Sequence, residues 1–165
     1  MIKKIEIEYE LFEHAGLLSE ADQAVLAAAR KATKTAFAPY SNFHVGAAAR
    51  LTSNEIIIGS NQESASYPVG ICAERTLLNS IGSQFSDEKI QVLAVSYDAI
   101  GKPSMTPLSP CGMCRQSLLD YENRYQAPIR IILSGLEGPV QIFHEAAHLL
   151  PFGFNGSVLK ELRGR

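Results

Sequence analysis

The sequence predicts a single α/β domain in three layers, with helices covering both faces of a mixed, five-stranded central sheet. Apolar stretches of strand length alternate with helical stretches along the chain, which is typical of this fold class. A chain of 165 residues can bury a core, and we assign all of it, residues 1–165, to one domain. Hydrophobic residues at 46% and charged residues at 19% are ordinary for a globular protein and argue against disorder.

The first helix is predicted from Ser19 to about Phe37. The Ser19 hydroxyl can accept hydrogen bonds from the free amides at the helix start. Glu20 and Asp22 follow it, and their charges favour the positive end of the helix dipole. The alanine-rich stretch after them is expected to remain helical until it approaches Pro39.

A β-hairpin is predicted next, with strands at residues 43–51 and 55–59 joined by a turn at residues 52–54. Its first strand contains the small residues 46–49 (GAAA), which have poor strand propensity. Such a run is expected where another element or a ligand approaches the backbone closely.

The second half of the chain alternates helices and strands, and its crossovers are expected to be parallel. The residues between 99 and 110 include three prolines and are predicted to form a loop. The end of the chain is ambiguous between a short strand and a helix. The predicted segments are helices at 72–83 and 111–125, strands at 90–97, 129–133 and 140–143, and a helix at 142–149.

Charge and cysteine content indicate the kind of partner and compartment. The net charge of −2 and pI of about 6.1 show no basic excess for nucleic acid, so a small-molecule partner is favoured. Residues 1–8 alternate apolar and charged side chains in a β-like pattern, so we expect no export signal, and the chain has no apolar run of membrane-spanning length. Its three cysteines cannot all pair internally, which favours a reducing, cytoplasmic location.

The cysteines are placed to converge on one metal ion. Cys111 and Cys114 form a CxxC at the start of a predicted helix, where positions i and i+3 share a face. Cys72 begins another predicted helix, 39 positions earlier (111 − 72). Helix N-termini favour thiolates, so helices that start side by side would bring three thiolates together. Three protein ligands are typical of a catalytic zinc that keeps a position for water.

The residues around these cysteines decide between zinc and other uses of a CxxC. A CxxC alone also fits redox-active or buried cysteines. The combination of Cys72-Ala73-Glu74 with a later Pro110-Cys111-x-x-Cys114 is the signature of zinc deaminases. Glu74 alone would be interpreted as a solvated helix acid, whereas within this pattern it is the expected general acid/base.

Five segments together carry a family resemblance. They are residues 38–47 (APYSNFHVGA), 59–68 (GSNQESASYP), 71–76 (ICAERT), 109–116 (SPCGMCRQ) and 149–154 (LLPFGF). With them the sequence resembles the small, one-domain cytidine deaminases from about residue 19 to residue 162. The resemblance implies one zinc ion per subunit and a homotetramer whose active sites are shared between subunits. It also implies hydrolytic deamination of cytidine and deoxycytidine to uridine and deoxyuridine, with release of ammonia, in pyrimidine salvage.

The resemblance also implies roles for individual substrate-binding residues. Phe43 would stack on the pyrimidine, and Asn61 with Glu63 would hold the ribose 3′-hydroxyl. The backbone of Ala73 would contact the base carbonyl, and Ala65 also belongs to the substrate site.

Further positions are expected to support the metal and the assembly. Arg75 would offset the negative charge of three thiolates, and Gln116 would hydrogen-bond near the ligand sulfurs. Tyr67 and Phe154 would reach into a neighbouring subunit's pocket. The chain departs from the family in having Ser64 after Glu63, and His148 before the Leu-Leu-Pro segment.

Other functions fit parts of the sequence. Residues 144–148 (HEAAH) match the HExxH pattern of zinc proteases. Only 17 residues follow His148 (165 − 148), and Glu161 is the sole carboxylate among them, so a short amphipathic helix with exposed polar residues is the favoured interpretation. A non-enzymatic zinc module has no use for Glu74, and nucleic-acid deaminases typically use His-x-Glu with a basic surface. A deaminase acting on another cytosine-containing small molecule stays open.

Overall fold

The computed structural model describes residues 1–156, and its helices and strands alternate as the sequence predicts. The predicted domain ends at residue 165 and the family resemblance at about residue 162, and both of these ends lie outside the described residues. The elements are β1 (Glu10–Phe12), α1 (Glu20–Ala32), β2 (Phe43–Leu51), β3 (Ile56–Ser60), α2 (Ala73–Gln84), β4 (Ile90–Ala99), α3 (Gly112–Tyr125), β5 (Arg130–Ser134) and β6 (Val140–Phe143). Within residues 1–156 no helix has the length and apolar character needed to cross a membrane.

The strands form one mixed sheet in the order β1-β6-β5-β4-β2-β3. Strands β4 and β5 are parallel, whereas β1–β6, β5–β6, β4–β2 and β2–β3 pair antiparallel. The prediction of a mixed sheet is therefore confirmed. The crossovers through α2 and α3 are parallel, because β3 and β4 both run antiparallel to β2 and β4 is parallel to β5, whereas the last connection, from β5 to β6, is antiparallel. The connection from β5 to β6 spans residues 135–139, which is too short for a parallel crossover.

The sheet has six strands, so the prediction of five is wrong. The additional strand is β1, whose Glu10 to Phe12 pair with Ile142 to Val140 at the edge of β6. Arg130 on β5 holds this edge through ion pairs with Glu10 and with Asp22 at the start of α1. The alternating residues 1–8, predicted to be β-like, lie outside this strand.

Helices cover both faces of the sheet and define two apolar layers. On one face, Val25 and Leu26 of α1 pack with Ile132 of β5. On the other face, Leu77 of α2 and Leu118 of α3 pack in the second layer. The three-layer α/β/α prediction is confirmed, and the starts of α2 and α3 face the same end of the sheet.

Glycines allow two helices to lie directly against strands of the sheet. A methyl group at Gly46 of β2 would lie 2.1 Å from the Ala29 carbonyl oxygen on α1. A methyl group at Gly59 of β3 would lie 2.6 Å from the Leu77 amide nitrogen on α2. The close approach predicted from the small residues of β2 is thus confirmed.

Two predicted helix boundaries differ from the structure. Ser19 caps α1 by accepting from the Asp22 amide at 3.2 Å, as predicted, but the helix ends at Ala32 and a 3₁₀ turn, Thr33–Thr35, follows. The hydroxyls of Thr33 and Thr35 donate to the carbonyls three residues earlier, which competes with further helical bonding. The predicted helix at residues 142–149 is wrong, because β6 and a 3₁₀ turn, Ala146–Leu149, occupy that segment.

A buried carboxylate on α3 fixes this last turn. Oε1 of Glu122 accepts hydrogen bonds from the amides of Ile129 and Ala146, both at 2.7 Å. Its Oε2 accepts from the Ala147 amide at 3.0 Å. Glu122 therefore joins the end of α3 to the start of β5 and to the 3₁₀ turn after β6.

We expect Glu122→Ala to lower the free energy of unfolding by about 3 kcal/mol, because three amides lose a charged acceptor. Urea denaturation followed by circular dichroism measures this loss. Asn123→Ala, at the exposed next position, is the control and should leave stability nearly unchanged. A loss below about 1 kcal/mol in Glu122→Ala would contradict the anchoring role.

Candidate active site

Three cysteine side chains converge where α2 and α3 begin. Cys72 and Cys111 occupy the N-cap positions of the two helices, and Cys114 lies in the first turn of α3. Their sulfur atoms all lie within 4.8 Å of one another. The Cys72–Cys111 sulfur separation is 3.8 Å and the Cys111–Cys114 separation is 3.4 Å. The predicted convergence of the three thiols is confirmed.

The donor set fits a zinc ion. Sulfurs about 2.3 Å from a tetrahedral centre lie roughly 3.8 Å from one another, which is close to the separations observed. Soft thiolate ligands also select zinc over the harder magnesium and calcium ions. Three protein ligands leave one tetrahedral position for water or substrate.

The electrostatics of the trio favour a cation. Hydrogen bonds from Cys114 and then Cys111, aided by the charge of Arg75, lower the pKa of Cys72 to about 6. The thiolate of Cys72 and burial raise the pKa of Cys114. The Cys72 thiolate therefore forms most readily, and a bound divalent ion favours the ionised form of the thiols that ligate it.

Glu74 lies in the first turn of α2, two positions after Cys72. Its side chain is buried, with 4% of the residue exposed, so it is not a solvated helix acid. Burial, with a contribution from the charge of Cys72, raises the pKa of Glu74 above that of an ordinary carboxyl. A carboxyl whose pKa is shifted toward neutrality is suited to both accept and donate protons.

A cavity of about 510 Å³ opens onto this group. Its volume falls within the range of small-molecule sites. Glu74, Cys72 and Cys111 line one part of it, and residues predicted to bind substrate line another: Phe43, Asn61 and Glu63. The structure therefore brings these sequence-predicted residues to a single cavity.

Phe43 contributes an aromatic wall to the cavity. Its ring stacks on Tyr97 of β4, with centroids 4.9 Å apart and an interplanar angle of 22°. This contact fixes the ring at the first position of β2. No sequence motif marks Tyr97, because its contact with Phe43 depends on the pairing of β2 with β4.

Asn61 is held by the backbone of β2. Its Oδ1 accepts from the Val45 amide at 2.7 Å, and its Nδ2 donates to the Phe43 carbonyl at 2.9 Å. A carboxamide has two donors and two acceptor positions, so one of each is free for a ligand. A sugar hydroxyl, which both donates and accepts, matches this pair.

Comparisons with known proteins agree with this geometry. The sequence model of the cytidine and deoxycytidylate deaminase zinc-binding region matches residues 19–125. The chain is 33% identical over 139 residues to a cytidine deaminase of Halalkalibacterium halodurans, covering 84% of this chain and 98% of the relative. It is 34% identical over 133 residues to one from Sporosarcina psychrophila, covering 81% and 90%. The chain belongs to the cytidine deaminase family.

Solved structures of cytidine deaminases share the fold. The crystal structure of the Burkholderia pseudomallei enzyme matches with a TM-score of 0.69 and 33% identity, over 83% of this chain and all of that one (100%). The Mycobacterium tuberculosis enzyme matches with a TM-score of 0.61 and 28% identity, over 80% and 95%. The matched zinc-binding region contains all three cysteines, so this deaminase is a zinc enzyme with one ion per subunit.

The remaining predicted residues of this deaminase are not part of the cavity lining. Ala73 is fully buried at the first position of α2, and Ala65 is exposed. Tyr67 is 77% exposed and Phe154 is 65% exposed, so a single chain leaves both aromatic rings largely uncovered. The charge of Arg75 acts on Cys72, consistent with its expected electrostatic role.

The side-chain amide of Gln116, which is predicted to lie near the ligand sulfurs, bonds to groups outside the cysteine trio. Its Nε2 donates to Asp120 at 2.9 Å and to the Phe154 carbonyl at 2.8 Å. Gln116 therefore anchors the segment that carries Phe154.

The HExxH residues do not form a second metal centre. His144 lies 3.4 Å from Glu10 on β1, whereas His148 contacts Glu145 at 2.9 Å. The 3₁₀ turn that includes His148 does not continue through His144, so the two rings lack the shared α-helical face of a zinc protease. Among residues 1–156, the cysteine trio is the group with metal-binding geometry.

Proposed function

We propose that the protein hydrolyses cytidine and deoxycytidine to uridine and deoxyuridine and releases ammonia. The observation that carries this proposal is the buried carboxyl of Glu74 beside three convergent thiols, at a cavity that also contains Phe43, Asn61 and Glu63. Curated relatives that match over most of their length carry the name cytidine deaminase. The reaction belongs to pyrimidine salvage.

Glu74 performs the proton transfers. The zinc ion held by Cys72, Cys111 and Cys114 supplies a Lewis acid that makes water nucleophilic near neutral pH. Glu74 takes a proton from the water and delivers it to N3 of the pyrimidine, which makes C4 electrophilic. After the oxygen has added to C4, Glu74 takes the remaining proton from that oxygen and gives it to the amino group, so that the C4–N bond breaks as the C4 carbonyl forms. Water is consumed and ammonia is released, so the atoms balance.

The other residues of the cavity orient the nucleoside. Phe43 stacks on the pyrimidine, and the Ala73 backbone contacts the base carbonyl. The free donor of Asn61 and the carboxylate of Glu63 hold the ribose 3′-hydroxyl. Ala65 completes the substrate contacts. Arg75 offsets the negative charge of the thiolate ligands.

The active enzyme is proposed to be a cytoplasmic homotetramer. The exposed rings of Tyr67 and Phe154 support a role in contacts between subunits, because aromatic side chains are enriched at interfaces. Three reduced thiol ligands require a reducing compartment. Sedimentation equilibrium should give a mass of about four times the 18.0 kDa chain. A monomer at assay concentrations would contradict the shared sites.

An ultraviolet absorbance assay with zinc measured on the same sample tests the activity. Cytidine and deoxycytidine should both be turned over. Cytosine should be a poor substrate, because it lacks the sugar that Asn61 and Glu63 hold. CMP, the 5′-phosphate, serves as the nucleotide comparison. A zinc-loaded sample that turns over neither nucleoside refutes the proposed function.

A further inference from the structure

The carboxylate of Glu63 is held by the loop that precedes β2. The Ser41 hydroxyl donates to its Oε1. The amides of Tyr40 and Ser41 donate to its Oε2 at 2.9 Å and 3.2 Å. Ser41 is thus the residue that contacts both oxygens of Glu63. The sequence motif at residues 38–47 includes Ser41, but nothing in the sequence assigns it a role.

These contacts leave limited room for a ligand. An ionised carboxylate has about four acceptor positions, two on each oxygen. The two amides occupy both positions on Oε2, and the Ser41 hydroxyl occupies one on Oε1. One position on Oε1 is therefore free, and both Ser41 and Glu63 line the active-site cavity. The carboxylate can therefore accept a hydrogen bond from one hydroxyl of a ligand.

The same contacts keep the carboxylate charged and in one orientation. The Ser41 hydroxyl, followed by the Tyr40 amide, lowers the pKa of Glu63. An ionised carboxylate only accepts hydrogen bonds, so it requires a donor from the ligand. Glu63 is partly exposed, and without these contacts its flexible side chain would have to be ordered when substrate binds.

We propose that Ser41 is a positioning residue that fixes Glu63 to accept one sugar hydroxyl. This inference rests on the proposed nucleoside deamination. Ser41 acts on substrate through Glu63, so its removal should weaken recognition of the sugar and leave the chemistry at C4 intact.

A second contact of Ser41 offers a competing explanation that can be separated by experiment. The Ser41 hydroxyl oxygen also accepts from the Phe43 amide at 3.1 Å. An effect transmitted through Phe43 would alter stacking of the base and would lower kcat/KM equally for every cytosine nucleoside. An effect transmitted through Glu63 would lower kcat/KM only for substrates that carry the hydroxyl.

The test compares kcat and KM for cytidine and 3′-deoxycytidine in the full-length, zinc-loaded enzyme. Ser41→Ala should lower kcat/KM for cytidine about tenfold, mainly through KM, because the side chain of Glu63 must then be ordered on binding. The value for 3′-deoxycytidine should change little. Ser41→Thr keeps a hydroxyl and should restore the preference for cytidine.

Thr52 provides a matched control. Its hydroxyl donates to Glu88, and that carboxylate also accepts from the Ser53 amide, so the arrangement resembles that of Ser41 but lies outside the cavity lining. Thr52→Ala should leave both substrates unaffected. Equal losses on both substrates in Ser41→Ala, or no loss on cytidine, would overturn the positioning role. A wild-type enzyme that fails to turn over cytidine would refute the proposed function and this inference together.

Discussion

Glu74→Gln is expected to reduce kcat about a thousandfold or more while zinc stays bound, because the amide cannot carry the proton between water and the pyrimidine. Glutamine has nearly the same shape, so the buried first turn of α2 should keep its packing. Glu74 is also not among the three thiol ligands, which leaves the metal site intact. Absorbance assays give kcat, and atomic absorption gives the zinc content of the same sample.

The control for this substitution is Glu55→Gln, which makes the same chemical change at an exposed position in the turn between β2 and β3. It should retain full activity. Substantial turnover by a zinc-loaded Glu74→Gln enzyme would show that another group transfers the protons.

Cys111→Ala should remove both metal and activity. Two thiolates would remain, and the start of α3 would lose a sulfur that lies 3.8 Å from that of Cys72 and 3.4 Å from that of Cys114. Cys111 is exposed whereas Cys114 is fully buried, so this substitution disturbs packing least. Zinc content per chain and kcat are measured together, with circular dichroism to verify the fold.

Ser117→Ala, on the same helix, is the matched control and should keep both zinc and activity. Its hydroxyl donates to the Met113 carbonyl within α3 and takes no part in the cysteine trio. Full zinc occupancy in Cys111→Ala would refute its role as a ligand.

The chemistry of the site was predictable because its signals are local. Cys72 and Glu74 are two positions apart, and Cys111 and Cys114 are three apart, so helix geometry alone relates the members of each pair. The burial of Glu74 was not predictable from spacing, since it depends on how α2 packs against the sheet. The place of Gln116 near the sulfurs stays a prediction, because its motif gives no information about which helix face it occupies.

The fold was predictable where elements are determined by nearby residues. The β2–β3 hairpin and the Ser19 cap of α1 follow from their own segments. The 3₁₀ turn after β6 depends on Glu122, whose hydrogen bonds to Ala146 and Ala147 span 24 and 25 positions. Likewise, β1 forms only because the edge of β6 is available to pair with it.

The pairing of β1 with β6 also affects how the molecule avoids unwanted self-association. An unpaired β6 would offer its amides and carbonyls to a strand of another chain, which is a route to fibril growth. Strand β1 occupies that edge and is itself only three residues long, with Glu10 engaged by Arg130. A short, charged edge is a poor template for further strands, so β1 protects this edge of the sheet from pairing with a strand of another molecule.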